Sequence, residues 1–82
     1  MVKATVMVYM RGGGAVFEYE IAAEDAGQLG AKAREHLAAI AQGGYRHNPG
    51  GGCLEWFPPH WIDKVKVLGD IPTNYPDTAR GT

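Results

Sequence analysis

The sequence predicts an α+β fold: an antiparallel sheet made of a β-hairpin and two further strands, one α-helix packed on a single face, and an extended C-terminal tail. Three observations predict it. Two runs of alternating apolar and polar residues flank an Arg-Gly-Gly-Gly segment. One stripe of apolar residues then recurs at helical spacing. Strand-forming residues finally lie on both sides of Pro58-Pro59. The helix stripe and the apolar hairpin face each need a cover, and each can supply the other's. Residues 1–68 form a single domain on this reading, and 69–82 the tail.

Residues 3–10 carry Thr5, Val6, Val8 and Tyr9, types that fit a pleated surface. Both faces of this segment are apolar, as in a central strand or one covered by a neighbouring subunit. Arg11-Gly12-Gly13-Gly14 supplies the turn. Residues 15–21 return with Phe17, Tyr19 and Ile21 on one face and Val16, Glu18 and Glu20 on the other.

A helix is expected over residues 25–42. Asp25 and Gln28 have the spacing of a capping box, and Gly43-Gly44 supplies the stop. Leu29, Ala33, His36, Leu37 and Ile40 form its apolar stripe. His36, at the edge of that stripe, reads as a partly buried imidazole with one satisfied nitrogen rather than a ligand contact. Residues 45–52 read as a loop, since Asn48-Pro49 starts a turn and three glycines follow. Residues 53–57 are a strand with Leu54 and Trp56 on one face. The two prolines interrupt it because neither can donate a ladder hydrogen bond. Residues 60–68 continue as a strand, Val65 and Val67 facing one way and Lys64, Lys66 and Leu68 the other.

Composition narrows the function. A chain of 82 residues buries only roughly 60–65% of its unfolded surface, so self-association is the simplest source of added stability. A single cysteine fits a reducing compartment. The N-terminal run is short and alternating, unlike a signal peptide, and no segment approaches a membrane span. The reading is a cytoplasmic protein. A net charge of −1 argues against nucleic acid as the partner but not against a local positive pocket.

The chemistry concentrates in residues 44–68, which hold both tryptophans, the only cysteine and two of the three histidines. The glycine run 50–52 lacks the spacing and the strand-to-helix order of a phosphate loop. His36, His47, Cys53 and His60 are suitable zinc ligands, but they lack the short paired spacings of structural zinc. Cys53 with His47 or His60 is a nucleophile and base on paper only, and Glu55 and Asp63 lack a second group at recognisable spacing. Enzymatic function is therefore the lesser reading, with no cofactor implied.

Binding is the greater one. Arg46 can fork onto a phosphate or carboxylate, His47 and His60 can donate to anionic oxygens, and Tyr45, Trp56, Phe57 or Trp61 can stack on a base. The same aromatics could instead be core, a subunit interface, or anchors for a partner protein.

Tyr45-Arg46-His47 followed by Trp56-Phe57-Pro58-Pro59-His60, behind a hairpin and helix, resembles small proteins encoded by phages and prophages, a pattern to which no chemistry is attached. The resemblance implies a mobile-element origin and a short cytoplasmic effector. Phages also carry small homo-oligomeric sponges that sequester host immune nucleotides. By analogy, the expectation is a non-enzymatic module that captures a small anionic ligand such as a nucleotide. The alternative is a protein-interaction module that binds a host protein.

Overall fold

The computed structural model describes residues 1–69 and Ile71. Strand β1 (Val2–Met10) turns through a short 3-10 segment at Arg11–Gly13 into β2 (Val16–Ala23), and helix α1 (Ala26–Gly43) follows. Two strands, β3 (Tyr45–Gly50) and β4 (Cys53–Phe57), form a second hairpin. A 3-10 turn at Pro59–Trp61 then leads into β5 (Ile62–Gly69). The α+β class and the antiparallel sheet with its covering helix are as expected.

The strand order in the main sheet is β2-β1-β5, all antiparallel, and β3-β4 forms a separate two-stranded sheet. The core follows from alternation along β1. Ala4, Val6 and Val8 face the helix and are buried, opposite Ile21, Tyr19 and Phe17 on β2, while Val67 and Val65 of β5 stand opposite Val6 and Val8. Leu29, Ala33 and Ile40 of α1 close the layer from above, and Tyr45 joins it from β3. Helix burial matches the predicted stripe, with His36 and Leu37 half-buried at its margin.

Asp25 caps the helix as its spacing predicts: the Gln28 amide donates to Asp25 Oδ1 at 2.8 Å. Lys32 Nζ donates to Ala22 O at 2.8 Å, tying the first turns to the end of β2. Asp25→Ala removes an acceptor for an otherwise unpaired first-turn amide. A loss of about 1 kcal/mol is expected in urea denaturation.

The expected loop at residues 45–52 is corrected. Tyr45, Arg46 and His47 pair with Phe57, Trp56 and Glu55, and the ladder breaks between His47 and Gly50 before closing at Cys53. Pro49 is tolerated because the ladder is irregular where it lies. The Gly50 amide donates to Asn48 Oδ1 at 2.9 Å, and Gly50, Gly51 and Gly52 all have positive φ, which only glycine adopts freely. Three strands therefore follow the helix rather than two.

The end of the helix fixes this second hairpin. Gly44 has φ 84°, and a Cβ there would collide with Phe57 O and lie 2.9 Å from Trp56 Nε1. Trp56 Nε1 donates to Gly43 O at 2.7 Å, so one side chain of β4 satisfies a terminal helix carbonyl. Among the described residues, no helix is long and apolar enough to cross a membrane. Ile71 packs against the core. The rest of the expected tail lies outside the described residues.

Candidate ligand-binding site

The hairpin β3-β4 has two faces, and they divide the residues singled out in the sequence. Tyr45, His47, Glu55 and Phe57 share one face by register, and Arg46 and Trp56 share the other. The first face turns towards β2. There Phe17 lies at the centre of a ring cluster, with centroids 4.6 Å from His47, 5.3 Å from Phe57 and 5.5 Å from Tyr45. The cluster extends on one side through Tyr19, stacked 6.0 Å from Tyr45, to His36. On the other side it extends from Phe57 to Trp61, 6.4 Å away, and Trp61 meets His60 edge-on.

A hollow opens at each end of this ribbon of rings. The first, about 530 Å³, is walled by Phe17, Phe57 and Trp61, with Arg11, Glu55 and His60 as its polar groups and Met10 and Ala15 completing it. Its size falls within the range of about 300–1,000 Å³ typical of small-molecule sites. Local sequence explains the placement. The glycine turn carries Arg11 to the end of the first hairpin, and the two prolines force the 3-10 turn that presents His60 and Trp61 beside Phe57. Neither the Arg11 nor the Glu55 side chain is held in a hydrogen bond or ion pair by another described residue.

The second hollow, about 570 Å³, lies between α1 and β3 and includes Glu18, Tyr19, His36, Tyr45, Arg46 and His47. Two of its polar groups are committed to each other. Tyr19 OH and His36 Nδ1 share a hydrogen bond of 2.7 Å, which gives His36 its one satisfied nitrogen. Burial raises the Tyr19 phenol above its ordinary value, reinforced by the neighbouring Tyr45, and burial alone raises Tyr45.

The sign of that effect is testable. Phenols with a raised pKa in the fold keep their protons when the unfolded chain, near its ordinary 10.0, begins to lose them. Their contribution is complete below pH 10 and disappears as pH rises through the folded-state values. Urea midpoints measured from pH 8 to pH 11 should fall above about pH 10, and Tyr45→Phe should lessen the fall.

The expected cluster is therefore not one pocket. His60 and Trp61 belong to the first hollow, Tyr45, Arg46 and His47 to the second, and Trp56 to neither. Trp56 is 56% exposed, on the outer face of β4, with its indole nitrogen spent on the helix end. Arg11, Phe17 and Glu55 were absent from the expected set. The basic residue in the glycine turn and the aromatic on the inward face of β2 were the available signals for two of them. Cys53 is exposed at the start of β4. Among the described residues, no three His, Cys, Asp or Glu side chains converge as a metal-binding group.

Comparison with protein-family models, with curated proteins and with solved structures returns no match.

Proposed function

We propose that the chain is a binding module for a small planar anion of the nucleotide type, held in the hollow between the first hairpin and the Pro59–Trp61 turn. One observation carries the reading. Three aromatic walls, Phe17, Phe57 and Trp61, converge on a single space with a guanidinium, an imidazole and a carboxylate as its polar groups. Aromatic faces stack on a base without regard to its identity. Arg11 supplies a charge-assisted, two-pronged contact to a phosphate or carboxylate, and His60 a second donor. Glu55 accepts from the N–H edge of a ring and penalises ligands whose whole surface is negative. The mobile-element resemblance agrees with a sequestering role, since the site needs no reaction to act.

The test is calorimetric titration across a panel of linear and cyclic nucleotides. Arg11→Ala should weaken the best ligand about 10- to 100-fold, equivalent to a loss of about 1.5–3 kcal/mol, while the free protein melts as before. Arg46→Ala, which alters the other hollow, should leave affinity unchanged. Failure of every ligand to bind would reject the reading.

A second reading rests on a different surface. Leu54 is 69% exposed and Trp56 56%, side by side with Arg46 on the outer face of the second hairpin, a composition suited to anchoring a protein partner. That surface is separate from the hollow, so its loss should leave nucleotide binding intact.

A further inference from the structure

The face of the main sheet turned away from the helix is covered by no element among the described residues. Register arranges it in rows across β2, β1 and β5: Val16–Tyr9–Lys64, Glu18–Met7–Lys66 and Glu20–Thr5–Leu68. The midline is mostly apolar, the β2 edge carries the acids and the β5 edge carries the bases. Lys64 and Lys66 Nζ lie 4.9 and 5.9 Å from the centroid of the Tyr9 ring, so their charges lean over the midline rather than away from it. Tyr9 OH lies 3.8 Å from Met7 Sδ, which packs the two central side chains together. Leu68 is 51% exposed and Val16 44%.

We propose that this face is an interface with a second copy of the chain, related by a two-fold axis parallel to β1. The charge pattern selects the axis. A two-fold axis along the strands, midway between facing sheets about 10 Å apart, places β2 of one copy over β5 of the other. Each row then meets its own reversal. Glu18 lies over the partner copy's lysine at position 66, twice per dimer, and Met7, Tyr9 and Thr5 meet their counterparts. Val16 and Leu68 lie over the aliphatic stems of the opposing lysine and glutamate. The other face-to-face two-fold, perpendicular to the strands, sets acids over acids and bases over bases, and like-charge contact opposes it. Lys3, one row beyond Thr5 on the midline, meets its own counterpart at the solvent-exposed rim, a like-charge contact outweighed by the two Glu18–lysine pairs.

A three-stranded face of roughly 25 by 15 Å buries on the order of 800–1,000 Å² in total, below the roughly 1,200 Å² of standard specific interfaces, so weak, transient dimerisation with a dissociation constant of about micromolar or weaker is expected. The proposal is independent of what the cavity holds.

The experiment is sedimentation equilibrium on the full chain from about 1 to 500 μM, bracketing the expected constant. The wild type should pass from the 8.8 kDa chain mass to twice that value. Glu18→Lys and Lys66→Glu should each weaken dimerisation by about tenfold or more, with unchanged circular dichroism, because each substitution counts twice. Mixing the two variants should restore the dimer, since a row of two lysines then faces a row of two glutamates. A wild type that stays at the chain mass throughout would overturn the proposal. So would two variants that dimerise like the wild type, or folded variants whose mixture remains monomeric.

Discussion

Gly44→Ala is expected to destabilise the fold by about 2–4 kcal/mol, a large fraction of what a domain this small possesses. Two independent costs meet at that residue. Its φ of 84° is unfavourable for any residue with a Cβ, and the added carbon collides with Phe57 O and crowds Trp56 Nε1. Relief requires β4 to move away from the helix end, which also breaks the 2.7 Å bond from Trp56 to Gly43 O. Because Phe57 walls the cavity, ligand binding should weaken together with stability. Gly43→Ala is the control. It is helical, and a Cβ there meets nothing within 4 Å, so alanine should be neutral or stabilise by up to about 1 kcal/mol. Thermal denaturation of the two variants distinguishes close backbone approach from a general preference for glycine at helix ends.

Leu29→Ala should cost about 2–5 kcal/mol. Leu29 is fully buried, and with Val6 and Val8 it is one of the three largest fully buried side chains. The cavity left behind would lie between α1 and β1, where the backbone on both sides is already committed to regular hydrogen bonding and cannot easily collapse. Leu54→Ala changes the same residue type on the outer hairpin face and should alter stability by no more than about 0.5 kcal/mol. Chemical denaturation of the pair measures how far the core, rather than leucine content, holds this small chain together.

Periodicity made the scaffold legible. The alternation of Phe17, Tyr19 and Ile21 and the spacing of Leu29, Ala33 and Ile40 are local patterns, and burial follows them closely. Residues 45–52 were misread for an equally local reason. Pro49 and three glycines outweigh the short alternation of Tyr45, Arg46 and His47, yet the pairing of that segment is decided by β4 and by the close approach at Gly44. The strand order β2-β1-β5 depends on contacts distant in sequence, which no window of residues reports. The division of the candidate residues between two hollows has the same origin. Nearness along the chain grouped Arg46 with His60 and Trp61, but the faces of a strand alternate and the prolines turn the chain away. Arg11 and Phe17, far off in sequence, are brought to His60 and Trp61 instead.

The two tryptophans allow the most direct test of where a ligand sits. Trp61 walls the proposed cavity, whereas Trp56 lies outside both hollows with its indole N–H bonded to the end of the helix. In a ¹H–¹⁵N correlation spectrum each indole gives its own signal. On titration with the best-binding nucleotide, the Trp61 indole and the amides of Arg11, Phe17 and Phe57 should shift in a saturable manner, with the Trp56 indole unmoved. Shifts confined to Trp56, or to Tyr45, Arg46 and His47, would contradict the site.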